Sequence, residues 1–177
     1  MVNTEQEMLD DQCNPLDSAE DFLNIQKWRF DRLSEEQLYL HVEGDRGNYK
    51  LLFMWDEMEN ALQLCCEIDL CMPKSRTSEM HKMLAEINSQ MWLGHFDLSS
   101  DKVTECVAPC FRYNTFIRGM DHVHCHHLIK DLVKFTLQEC ERLHDAFQVL
   151  DKSNDQLSHL DSADSIELAL AQTVGQC

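Results

Sequence analysis

Basic residues are outnumbered two to one in this chain: 15 Lys and Arg stand against 32 Asp and Glu, a net charge of −17. Nucleic-acid binding depends on Lys and Arg neutralising phosphates, and no basic patch of that kind occurs. DNA, RNA and anionic membrane surfaces are therefore disfavoured as partners. No apolar run approaches the roughly 18–20 residues that span a bilayer. The first residues, Met1 to Asp11, lack the basic-then-apolar layout of a signal peptide, so the expected location is the cytoplasm. A Gly-rich phosphate loop, a Gly-x-Ser-x-Gly elbow and internal repeats are also missing. Those absences count against an enzyme.

The charge is unevenly spread. Residues 1–60 hold 15 acids and 5 bases (net −10), residues 61–120 hold 7 and 6 (net −1), and residues 121–177 hold 10 and 4 (net −6). An acidic surface of this kind keeps a protein soluble and sets weak partner preferences. The apolar fraction of 44% suits a folded domain, and 177 residues make one domain the default. Nine cysteines are many for this length. With no export signal, most are expected to be reduced, with Cys66 and Cys140 acting as small hydrophobes on apolar faces.

Hydrophobic periodicity then orders the chain. Residues 1–14 are acidic and aperiodic and read as a disordered tail. Pro15 opens a helix to about Lys27 with Leu16, Ala19, Phe22, Leu23 and Gln26 on one stripe. A short strand at 28–33 precedes alternating segments at 37–44, 49–55 and 62–70, joined by turns at Gly44–Asn48 and Asp56–Asn60. A helix from about Ser78 to Met91 carries Met80, Met83, Leu84 and Ile87 at helical spacing. Strands near His95–Leu98 and Cys110–Ile117 follow. The longest stripe, Ile129, Leu132, Val133, Thr136, Cys140, Leu143 and Phe147, sits on a helix from about His122 to Ala146. The domain is thus expected over 15–150, with 151–177 a polar linker and short C-terminal helix. The fold class is α+β: one antiparallel sheet of about five strands with flanking helices, in the order α-β-β-β-α-β-β-α.

Three segments, Trp28-Arg29-Phe30-Asp31-Arg32, Met91-Trp92-Leu93-Gly94-His95-Phe96-Asp97 and Leu137-Gln138-Glu139-Cys140-Glu141-Arg142, resemble the YbjN family of small bacterial proteins. The similarity runs from roughly Asn14 to Phe147, with a weaker echo at Ile166 to Gly175. Its aromatic and glycine positions (Trp28, Phe30, Trp55, Trp92, Gly94, Phe96, Phe111, Gly119) specify packing and turns. The resemblance implies a sensory transduction regulator with a type III secretion chaperone-like fold, no catalytic residues, and a homodimer. Two places depart from the family pattern: Cys106-Val107-Ala108-Pro109-Cys110, and His122-Val123-His124-Cys125-His126-His127.

His and Cys are the ligands zinc prefers. His122 and His126, four apart on a helix, could chelate from one side, with Cys106 and Cys110 on the preceding loop completing four ligands. The rival expectation is solvated surface residues and no cofactor. Cys125 among histidines near a helix start could be an activated thiol, but no substrate-positioning feature accompanies it. Cys65 and Cys66, adjacent on a strand, point to opposite faces and cannot readily pair. In the strand at 49–55, Tyr49, Leu51, Phe53 and Trp55 face one way and Leu52 and Met54 the other. Large apolar groups on both faces imply cover on both, so Tyr49, Leu52, Met54 and Trp55 are the candidate protein-binding residues. The leading expectation is a non-enzymatic protein-binding domain, chaperone-like or a regulatory adaptor. The alternative is a metal- or redox-responsive sensor built on Cys106, Cys110 and His122–His127.

Overall fold

The computed structural model of the protein describes residues 14–100 and 106–156, with side chains to residue 148. The expected tail, and the chain beyond 156, lie outside the described residues. Helix α1 (Pro15–Gln26) starts where the Asn14 side chain accepts from the Leu16 N–H at 2.9 Å, with proline at its first turn. It ends at Lys27 in the left-handed conformation. Its stripe of Leu16, Ala19, Phe22 and Leu23 is buried, while Gln26 is exposed.

Seven strands follow: β1 (Phe30–Ser34), β2 (Gln37–Glu43), β3 (Asn48–Asp56), β4 (Ala61–Ile68), β5 (Met72–Pro73), β6 (His95–Ser100) and β7 (Cys106–Phe116). Every pairing is antiparallel. Strands β1 to β4 form a meander, and β7 then pairs with β4, with β6, and at its first two residues with β5. Helix α2 (Thr77–Gln90) lies between β5 and β6 in the chain, and α3 (His122–Gln156) closes the fold.

The sheet buries one face. Alternation puts Leu38, Leu40 and Val42 of β2, Tyr49, Leu51, Phe53 and Trp55 of β3, and Leu62, Leu64, Cys66 and Ile68 of β4 into a single core. The same core takes in the apolar stripes of all three helices, including all seven positions expected on α3.

Several expectations need correcting. The sheet has seven strands rather than about five, β5 adding two residues, while the short strand expected at 28–33 is β1. Cys106 and Cys110 lie on β7 rather than on a loop. Helix α3 runs to Gln156, past the expected start of a linker at 151. Polarity had suggested that boundary, but residues 120–156 hold no glycine or proline to stop a helix. Most cysteines are expected to be thiols, and beside those that are, Cys71 and Cys106 form a disulfide, brought to a Cα separation of 5.5 Å where β5 meets the start of β7.

The α2–β6 junction is fixed by polar and steric means. The Asn88 side chain donates to the Phe96 carbonyl at 2.8 Å and accepts from the Phe96 N–H at 2.7 Å. Gly94 has φ +69°, and a Cβ there would strike the Phe111 ring and come within 2.9 Å of the Arg112 carbonyl. Phe111 packs edge-on against Phe96 and Phe135. Trp92, expected to pack into this junction, is instead 84% exposed, with only an edge contact to Phe135.

Candidate functional site

The second face of the sheet carries the residues left out of the core, arranged in rows by the register. The central row reads Tyr39, Leu52, Cys65, Arg112 and His95 across β2, β3, β4, β7 and β6. A row on one side holds Gln37, Met54, Gln63 and Asn114, and a row on the other holds His41, Lys50, Glu67, Cys110 and Asp97. Most of these side chains are half-buried by one another or exposed. Among the described residues, the three helices pack into the core on the opposite face. Leu52 and Met54 therefore stand on the face opposite the helices. Tyr49 and Trp55 do not: both are buried in the core, and a binding role for them is withdrawn. Their alternation with Leu52 and Met54 required one pair to face inward.

The four candidate metal ligands are not brought together. Cys106 is held in the disulfide, and Cys110 is buried on β7. The histidines follow the far end of that eleven-residue strand, roughly 30 Å from Cys106 at the rise of an extended chain. Among the described residues, no group of three or more His, Cys, Asp or Glu converges as a metal ion would need. His122 instead approaches Asp21 of α1 at 3.2 Å, and His126 meets the Phe22 ring edge-on. Asp121 accepts from the His124 N–H at 2.9 Å and from its ring at 2.8 Å, capping α3. Cys125 points into the core and is 1% exposed, away from any substrate.

What sequence reading missed is the setting of Cys65. As expected, it faces away from Cys66, which is buried beside Cys140. The register places it directly opposite Arg112, whose Nη1 lies 4.0 Å from its sulfur. Two residues earlier on β7, on the same face, comes Cys110, whose thiol reaches the Cys65 sulfur and also the Phe111 carbonyl at 3.6 Å. A hydrogen bond from Cys110 lowers the Cys65 thiol to about 7, aided by the Arg112 charge and opposed by burial. The same hydrogen bond, with burial, pushes Cys110 far up. The signal was present in the sequence as Cys65 and Cys110-x-Arg112, but only the β4–β7 register joins them. Arg112 also pairs with Asp97 at 3.5 Å.

No helix among the described residues is long and apolar enough to cross a membrane. A comparison with curated proteins finds no match. Among solved structures, the chain is similar to YbjN from E. coli, described as "a putative transcription regulator", at 14% identity and a TM-score of 0.47 over 66% of this chain and 81% of that one. The family described as "Putative bacterial sensory transduction regulator" matches residues 15–149, most of the chain and all of the sheet. By that match, the chain belongs to the YbjN family.

Proposed function

We propose that this domain is a non-enzymatic regulatory adaptor of a bacterial cytoplasm, working by protein binding through the open face of its sheet, and that the face's first occupant is a second copy of the chain. One observation carries this reading. A sheet with its core on one side displays Leu52 and Met54 at the centre of the other, with Tyr39 beside them. Covering such side chains contributes roughly 1.5–3 kcal/mol each. Charge supports a second copy. The three central rows hold two acids (Glu67, Asp97) and two bases (Lys50, Arg112), a net of zero on a molecule of −17, and the further acids of this face, Asp31, Glu43 and Asp56, lie at its margins. Two strongly acidic molecules meet at least cost where each is nearly neutral. The family's description as a regulator suits a domain that acts by contact.

Sedimentation equilibrium of the full chain tests the reading. The expected result is a dimer that Leu52→Glu weakens at least tenfold while leaving the far-ultraviolet spectrum unchanged. A wild-type chain that stays monomeric at high micromolar concentration overturns self-association through this face.

A further inference from the structure

Besides the Cys71–Cys106 disulfide, three described cysteines, Cys66, Cys125 and Cys140, are sealed in the core. The other two are joined by register on the open face. Cys65 on β4 and Cys110 on β7 are diagonal neighbours on one face of the sheet, and the Arg112 guanidinium lies 4.0 Å from the Cys65 sulfur. We propose that Cys65 and Cys110 form a peroxide-responsive dithiol, in which Cys65 is the attacking sulfur and Cys110 the resolving one.

The Cys65 thiolate attacks one oxygen of hydrogen peroxide. An S–O bond forms, the O–O bond breaks, and the departing hydroxide takes a proton to leave as water; the sulfur is oxidised by two electrons to a sulfenic acid. The Cys110 sulfur then attacks the Cys65 sulfur. The S–S bond forms, the S–O bond breaks, and the hydroxyl departs with the Cys110 proton as a second water. Only peroxide is consumed.

The division of labour follows from surroundings. Cys65 is half-buried and Cys110 buried, so peroxide meets Cys65 first. With its thiol near 7, Cys65 is about half ionised at neutral pH, whereas an ordinary thiol is a few per cent ionised. The charged groups around it are Arg112 opposite, Glu67 beside it on β4, Lys50 on the diagonal of β3, and Asp97 of β6, which pairs with Arg112 at 3.5 Å. Arg112 and Lys50 favour the thiolate, Glu67 and Asp97 oppose it, and the Arg112 guanidinium stands 4.0 Å from the sulfur.

The pair lies beside Leu52, but the inference does not need the binding reading. A dilution series separates them, because a covering partner slows Cys65 only as concentration rises, and the rate extrapolated to dilution belongs to the single chain. The test is peptide mapping of the full chain after dilute hydrogen peroxide at pH 7, with free thiols alkylated. The expected product is a linked Cys65–Cys110 peptide. In Cys110→Ala, sulfenic acid on Cys65 is trapped instead by a dione probe. Arg112→Gln slows Cys65 alkylation at pH 7 by about three- to tenfold, and the difference vanishes above pH 9. Cys65 reacting no faster than the buried thiols, or a peroxide product without Cys65, overturns the proposal. So does an Arg112→Gln chain whose alkylation profile matches wild type.

Discussion

Single residues decide which parts of this chain are packing and which are surface. Gly94 is the clearest case, since its positive φ and the nearness of Phe111 leave no room for a side chain. Gly94→Ala is expected to cost about 2–4 kcal/mol, from left-handed strain plus displacement of a buried ring. Urea denaturation checks it, and a midpoint equal to wild type would mean that the junction yields freely. Trp92 next door teaches the opposite lesson. Aromatic residues around a turn glycine suggested mutual packing, yet Trp92 projects outward, and no periodicity rule applies within a connection this short. Tyr49, Leu52, Met54 and Trp55 show how far alternation reaches. It separated the two pairs correctly but could not say which face the chain's own helices would take. The Cys65–Cys110 contact was out of reach for a different reason, because it joins residues 45 apart through a register that only folding sets.

At the level of elements, most of the fold was legible. Amphipathic stripes located α1, α2 and the first 25 residues of α3, and alternation located β2, β3 and β4, because each element buries one face and exposes the other. The parts missed lack that signature. Strand β5 has two residues, too few to alternate, and the disulfide it supports follows from pairing across 35 positions. The end of α3, residues 151–156, is polar throughout, which periodicity cannot tell from a linker. Strand β6 is an edge strand that depends on a side chain for its placement, since Asn88 of α2 makes two hydrogen bonds to the Phe96 backbone. Asn88→Ala leaves those backbone groups wanting and is expected to cost about 1–3 kcal/mol. Hydrogen exchange should show amides of β6 exchanging faster while those of β3 and β4 keep their protection. Uniform acceleration across the sheet would instead make Asn88 part of the global core.

For the whole molecule, the account turns on asymmetry. One face of the sheet holds the core and all three described helices, and the other has a neutral centre with acids at its margins, on a strongly acidic protein. The family match over residues 15–149 covers the whole sheet and both of its faces. The most direct test of that open face is hydroxyl-radical footprinting of the full chain across a concentration series. Met58, 90% exposed in the β3–β4 turn, serves as the internal reference for Met54. The expected result is that labelling of Met54 and Tyr39 falls as concentration rises, while Met58 labels at a constant rate. A Met54 rate that stays level with Met58 at every concentration would mean the face remains bare, and the claim that it is a self-binding surface would be wrong.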